Sequence, residues 1–355
     1  MKKALIVILI ILLIVLLIIA GYVAYVFISY HRIDDKLAIE PVNKQPRALE
    51  SDKELTLVSW NVGFGAYNED YSFFMDGGEH ARAYSKEICE ANINQVIESL
   101  KALKPDIALI QEIDTRATRS YHVNQRDMVM QAFDGHTAAF AQNYDSPYLC
   151  YPLRQPIGAS ESGILTLADA EISDCMRYSL PIESGFRKLL DMDRCYSVQH
   201  IPVANGKTLA LFNFHLSAYT ADGTIATDQL KMIIDHMEKE YAQGHYVIAG
   251  GDFNKDLWGN SSAYTGISGA GYSWAQPFPT ELLNEHFTLI DSANEEKPVL
   301  SCRDTRAGYE KGKTFEVTLD GFIVSDNVEV TSCEVIDEGF KVSDHNPVMI
   351  KLILK

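Results

Sequence analysis

Cationic residues are scarce in this chain of 355 residues, where 31 Lys and Arg stand against 48 Asp and Glu for a formal charge of −17. There is no basic run to track a nucleic-acid backbone, whose grip comes largely from Lys and Arg contacts to phosphates. Tight nonspecific binding of a polyanion is therefore disfavoured. A phosphate substrate is not excluded, because bound metal ions can reverse the local field. The six cysteines (Cys89, Cys150, Cys175, Cys195, Cys302, Cys333) include no C-x-x-C pair, which argues against a zinc ribbon. Disulfides in an exported domain and buried free thiols both stay open.

Charge is missing altogether from Ala4 to Ile28, where Leu, Ile and Val dominate. As a helix this run would be roughly 37 Å long, enough to cross a hydrocarbon core of about 30 Å with some tilt. A cleavable signal peptide would need an apolar stretch of only about 7–15 residues, so the expectation is a membrane anchor over residues 4–29. Lys2 and Lys3 precede the span, while Arg32 and Lys36 follow it beside Asp34 and Asp35. That bias favours an inside amino terminus and an extracytoplasmic domain. Setting Lys2 and Lys3 aside takes the charge from −17 to −19 for the rest.

Residues 30–54 are polar, carry Pro41 and Pro46 and show no period, so they read as a linker. Residues 55–355 show no repeat and no second break in composition, as expected of one large domain. Short branched apolar runs there read as strands: Leu55–Trp60, Ile107–Gln111, Gly163–Leu167, Thr208–Phe214, Tyr246–Ala249, Leu319–Val324 and Pro347–Ile353. Ile93, Val96, Ile97, Leu100 and Leu103 keep helical spacing up to Pro105, and Leu230, Ile233, Ile234, Met237 and Tyr241 do so up to Gly244. The pattern indicates an α/β sandwich with packed sheets. Two long loops, Phe64–Tyr84 and Asp256–Thr280, are rich in aromatics. They either touch substrate or bury their own rings.

Polar groups recur where these strands end: Asn61, Glu112, His215, Asp252 with Asn254, and Asp344 with His345 ahead of the last strand. One such residue would be explained by a turn or a cap. Several together fit ligands converging at strand ends. Phosphoester hydrolysis needs this set, because anionic oxygens repel the nucleophile until a metal ion neutralises them. Oxygen-rich ligands suit Mg²⁺ or Mn²⁺ rather than zinc, and the attacking water needs a base such as a His held by a carboxylate.

The motifs W-N, Q-E, H-L after a strand, GDFN, LDGFIVS and SDHNPV, in this order over Leu55–Leu354, resemble the endonuclease/exonuclease/phosphatase superfamily. The resemblance implies a four-layer α/β/β/α sandwich of two mainly antiparallel sheets and Mg²⁺- or Mn²⁺-assisted hydrolysis at one mouth of it. By it, Glu112 is the principal metal ligand, Asn61 binds metal or orients Asp252, and Asp344 lies on the metal side. Asp252 positions or activates water, Asn254 holds water or a phosphate oxygen, and His215 contacts phosphoryl oxygens. Asp320 orients His345 as base or stabiliser; whether His345 or Asp252 is the base stays open. Glu161 is a weak candidate partner for His215, and Arg187, Arg303 and Arg306 are candidate phosphate binders. A lipid headgroup or small phosphoester fits the acidic, tethered domain better than nucleic acid. A tethered nuclease and a non-catalytic binding module are the alternatives.

Overall fold

The computed structural model describes residues 2–185, 188, 192–218, 224–292 and 299–355. The charge-free run forms helix α1 (Lys2–Ser29), long and apolar enough to span a membrane. The candidate Arg187 lies outside the described residues.

Two sheets follow. One has six strands: β2 (Glu54–Asn61), β3 (Ile107–Asp114), β4 (Thr137–Leu149), β5 (Gly158–Ala168), β14 (Val328–Val335) and β15 (Val348–Leu354), in the order β14-β15-β2-β3-β5-β4. The other has seven: β1 (Leu37–Ala38), β6 (Asp174–Ser179), β7 (Cys195–Pro202), β8 (Thr208–His215), β9 (Tyr246–Asp252), β10 (Phe287–Ile290) and β13 (Asp320–Ser325), in the order β1-β6-β7-β8-β9-β13-β10. Among the described residues, only β2 with β3 and β8 with β9 run parallel within them. A short ribbon, β11 (Cys302–Arg303) with β12 (Glu316–Val317), lies beside the sheets in sequence between β10 and β13.

Strand alternation builds the layers. Leu55 and Leu57 of β2 meet Leu209, Leu211 and Ile248 in the core between the sheets. Their neighbours Val58 and Trp60 pack outward under helix α2 (Lys86–Leu103) and helix α3 (Gln125–Ala132). On the far side Phe212, Val247 and Ala249 pack under helix α4 (Thr224–Ala242), through Leu230, Ile233 and Met237. This is the expected α/β/β/α sandwich. Helix α2 starts where Ser85 accepts the Ile88 N–H at 3.2 Å and stops at a left-handed Lys104 before Pro105.

Residues 30–54 are not a free spacer. Leu37–Ala38 pairs with β6, Val42 bridges Ala138, and a buried Leu49 bonds Pro202 through its N–H. An edge strand needs only a few apolar side chains, here Leu37, Ile39, Val42 and Leu49, plus a sheet edge to take its amides. No periodicity announces such a segment. Cys89, Cys175, Cys195 and Cys302 are buried thiols.

Candidate active site

The two parallel pairs, β2–β3 and β8–β9, end at the same mouth of the sandwich, and their last residues carry the polar groups. Close strand approach there demands a glycine: a Cβ on Gly251, at φ +148°, would stand 2.0 Å from the Phe214 carbonyl oxygen. Register places His215 beside Asp252, and Asp252 beside Asp320. The β3–β5 register shifts between Ile110 and Ile113, and Glu112 takes φ +54°. This bulge re-aims its carboxylate off the ladder. Asn254, just past β9, takes φ +46°. Strained backbone of this kind gathers at functional sites.

Asn61 links the acids. Its Nδ2 donates to Asp252 Oδ2 at 3.0 Å and to Glu112 Oε1 at 3.2 Å, while its Oδ1 accepts the Gly63 N–H at 3.0 Å. Its Nδ2 thus orients the carboxylates, while Oδ1 accepts one N–H and keeps a second lone pair. The Asn254 N–H donates to Asp252 Oδ1 at 2.9 Å. Its side-chain Nδ2 donates to the Leu216 carbonyl at 2.8 Å, which ties down the loop after β8.

His345 Nδ1 lies 2.7 Å from Asp320 Oδ2, and Nε2 lies 3.7 Å from Asp252 Oδ2. Ser301 Oγ donates to the same Asp320 oxygen at 2.7 Å and accepts the Leu319 and Asp320 N–H groups. Burial alone would push the His345 imidazolium down, but Asp320, followed by Cys302 and Asp252, overrides it and holds the group well above its usual range. Burial, with the nearby Asp320, pushes Asp252 up to about 7 against the pull of His345. His215 Nε2 stands 3.5 Å from Asp252 Oδ2 and 3.9 Å from Glu112 Oε1. Burial and then Arg194 hold its pKa well below the usual imidazole value, which favours the neutral ring. Its carboxylate neighbours are therefore Asp252 and Glu112. Glu161 instead pairs with Arg116 on the β5 surface.

Glu112 and Asp344 are the groups that fit a hard cation. Both line the mouth, and Asp344 is driven to about 6 by burial and then by the Glu112 charge, after the opposing pull of His345. Two carboxylates crowded this way offer the oxygen donors that Mg²⁺ or Mn²⁺ takes. Asp252, Asp320 and His345 also lie within sharing distance of an ion, but the short Asp320–His345 hydrogen bond already accounts for that trio.

Arg303 is buried, yet its guanidinium donates to the carbonyls of Asp304, Asn68 and Tyr71. It fastens the Phe64–Tyr84 loop to the rim through its two Nη groups, while its buried Nε–H has no hydrogen-bond partner among the described residues. Arg306 lies over the Tyr272 ring at 4.2 Å and beside Asp304. Arg303 lines the mouth together with Arg119 and Arg194, and neither of the latter two stands out in the sequence. Arg119 pairs with buried Asp114 at 2.9 Å and sits 4.0 Å over the Phe64 ring. Arg194 donates to the Leu216 carbonyl at 2.9 Å. The long loops bury rings of their own and also line the mouth. Phe64, Tyr67 and Phe73 form their own cluster and wall the mouth, and Trp274 closes it from the 256–280 side.

A sequence model of the Endonuclease/Exonuclease/phosphatase family matches residues 58–345. The chain belongs to that family. Solved members and neighbours share the fold at low identity. An endonuclease/exonuclease/phosphatase from Beutenbergia cavernae aligns with a TM-score of 0.60 at 14% identity, over 85% of this chain and 72% of that one. A protein of the same description from Bacteroides vulgatus aligns at 0.55 and 17%, over 86% and 100%. ANGEL2, described as a 2′,3′-cyclic phosphatase and solved with adenosine-2′,3′-vanadate, aligns at 0.56 and 14%, over 91% and 99%. No curated protein sequence matches the chain. Of the motif residues, Glu112, His215, Asp252, Asn254, Asp344 and His345 line the mouth, Arg119 and Arg194 line it as well, and Ser301 holds Asp320 from behind.

Proposed function

We propose that this family member is a divalent-metal-dependent hydrolase that cleaves a phosphoester carried at a membrane surface. The observation that carries the chemistry is the convergence of Glu112, Asp252, His215 and the Asp320–His345 pair on one mouth. Glu112 and Asp344 would hold Mg²⁺ or Mn²⁺, which neutralises phosphoryl charge and polarises phosphorus when bound.

The chain's own groups supply the rest. Asn61 fixes the Asp252 carboxylate, whose pKa of about 7 suits it to take a proton from water near neutral pH. The water oxygen bonds to phosphorus as the bond to the leaving oxygen breaks. His345 lies between Asp320 and Asp252 and keeps its proton, so its Nε2–H offers a charged donor to the phosphoryl oxygens. His215 Nε2 faces two carboxylates and so carries its hydrogen. That makes it a neutral donor on the other side. In this reading Asp252 is the base and His345 the stabiliser.

The membrane part rests on where α1 docks. The Tyr22 hydroxyl accepts the Cys150 N–H at 2.9 Å, and the Tyr25 hydroxyl accepts the Tyr148 N–H at 3.0 Å. These residues stand at the tip of the β4–β5 hairpin, at the sheet end where β3 delivers Glu112. Beyond them Tyr151 and Leu153 are 69% and 85% exposed, and Ile157 lines the mouth. Tyrosines near a helix end suit the bilayer interface, and an apolar hairpin tip beside them suits a substrate presented there. The negative charge and the lack of a basic run argue against a nucleic-acid track.

The test is Mg²⁺-dependent hydrolysis by the full chain in detergent or vesicles, against phospholipid, inositol-phosphate and nucleic-acid substrates. Asp252→Ala and His345→Ala should each abolish it. Absence of activity across the whole panel would sink the enzyme reading. Cleavage of nucleic acid alone would sink the membrane-substrate part.

A further inference from the structure

At the other end of the seven-stranded sheet lies a second constellation of titratable side chains. His200 sits on β7 opposite Ala210, and His245 immediately precedes Tyr246, which pairs with Leu209. His215 and Asp252 end β8 and β9 six residues beyond Leu209 and Tyr246, about 20 Å away at about 3.3 Å per residue. Helix α4 lowers Glu240 between the two imidazoles.

The contacts are close. Glu240 Oε2 is 3.1 Å from His200 Nε2 and 2.8 Å from His245 Nδ1. His236, one turn back on α4, stands with Nε2 3.5 Å from Glu240 Oε1 and Nδ1 3.0 Å from the Tyr196 hydroxyl. On its far side His200 Nδ1 lies 3.2 Å from Asp174 Oδ2. His200 thus meets a carboxylate at each nitrogen. A neutral imidazole has one N–H and one lone pair, so one nitrogen would aim its lone pair at an anionic oxygen about 3 Å off. Either a second proton or a cation at that nitrogen resolves the conflict.

The arrangement suits a cation. A ligating imidazole commonly donates its other N–H to a carboxylate, which fixes the ring and its tautomer. Asp174 stands in that position and turns the Nε2 lone pair of His200 toward His245 Nδ1 and Glu240 Oε2. These three donor atoms all lie within 4.8 Å of one another. A tetrahedral zinc with bonds of about 2.0–2.1 Å would separate its ligand atoms by roughly 3.3 Å, about 0.2 and 0.5 Å longer than the 3.1 and 2.8 Å edges here. The imidazole rings stand 5.6 Å apart at 66°, so both can point at one centre without stacking. Two nitrogens and one carboxylate select a borderline ion such as zinc over Mg²⁺. His200 and His245 are partly exposed, and only Glu240 is buried, so an ion can enter from solvent.

We propose that His200, Glu240 and His245 form a zinc site, separate from the phosphoester mouth, with the fourth position left to water or His236. It would pin α4 to the edge of β7 and to the turn that enters β9. It would serve as a structural metal centre whose loss leaves the hydrolytic groups in place.

The test uses the full chain in detergent, stripped with chelator and reloaded with zinc, with bound metal counted by elemental analysis. The unaltered protein should retain one zinc that a His200→Asn/His245→Asn double variant loses, with Mg²⁺-dependent hydrolysis kept in both. Zinc should also raise Tm in the unaltered protein and not in the variant. Equal zinc retention and equal Tm in the two proteins would overturn the proposal and leave a hydrogen-bonded hub around Glu240. If the variant does not fold, Co²⁺ substitution of the unaltered protein decides. Intense visible bands of a tetrahedral nitrogen-ligated ion support the site, and a weak octahedral spectrum alone refutes it.

Discussion

Asp320→Asn tests the assignment of roles at the mouth most directly. The Asp320 carboxylate is buried and its Oδ2 accepts from both His345 Nδ1–H and Ser301 Oγ–H, each at 2.7 Å. Ser301 Oγ already accepts two backbone N–H groups, so it cannot reverse its bond to receive an amide hydrogen without losing them. The Asn side chain keeps the shape but removes the charge. A charge-assisted hydrogen bond contributes about 1.5–3 kcal/mol, and at about 1.36 kcal/mol per decade its loss predicts a fall in kcat of roughly 10- to 150-fold. The pH profile carries the sharper signal. If the His345 imidazolium stabilises the transition state, activity is lost as pH rises through its pKa. Asp320 and the other anions hold that pKa high against burial, so the alkaline limb of the unaltered enzyme lies far up. In the Asn variant burial dominates, the pKa falls, and the alkaline limb moves to lower pH. The assay is kcat against pH on a soluble phosphodiester at saturating Mg²⁺, with KM followed alongside. A kcat within about two-fold of the parent, or an alkaline limb that stays in place, would refute the reasoning.

Glu112→Gln should raise the Mg²⁺ concentration for half-maximal activity by at least the roughly 10–100-fold that even an outer-shell loss costs, read from metal titrations of the rate. Arg119→Met strands the buried Asp114 carboxylate and should cost about 3–5 kcal/mol in urea unfolding, with most of it recovered when Asp114→Asn is added; no recovery would mean the cost lies in packing against Phe64. Around Glu240 the sign follows from the shifts. His200 is raised, first by its hydrogen bond to Glu240, so its stabilising contribution is full below its unfolded pKa of about 6.5 and disappears as pH rises through the folded value. Glu240 is lowered because three imidazoles outweigh the effect of burial, so its share is present above about 4.3 and lost as pH falls through the folded value. Unfolding curves of metal-free protein and His200→Asn should therefore differ most between those limits and converge at alkaline pH.

The strands buried on both faces were legible because they leave continuous branched runs, as in Ile107–Gln111 and Tyr246–Ala249. The strands missed are of another kind. β4 spans Thr137–Leu149 with Gln142, Asn143, Asp145 and Ser146 in it, and β6 and β14 are edge or near-edge strands with polar outer faces. Their sheet membership comes from pairing with a neighbour far away in sequence, which no local window contains. The same reason hides β1. Its two residues are exposed and its place is fixed by β6 amides, so composition reads it as linker.

The site divides along a similar line. Groups at the reacting atoms sit where strands stop, and the chemistry tolerates few residue types there, so Glu112, Asp252 and His345 announce themselves. The groups that hold them do not. Ser301 reaches Asp320 from nineteen positions away, and Arg119 reaches the mouth only because the loop after β3 folds back over Phe64. Arg303, expected from sequence to bind phosphate, has a further task that the sequence does not show: its Nη groups fasten loop carbonyls. A buried guanidinium is committed to whatever acceptors the fold brings to it, and those acceptors are set by chain path. Charge near a site therefore becomes phosphate-binding capacity only where a donor is left over. At this mouth the donors left over are the Nε2 groups of His215 and His345 and the Nε–H groups of Arg194 and Arg303, which have no hydrogen-bond partner among the described residues, so substituting the imidazoles and the arginines separately should distinguish catalysis from substrate binding.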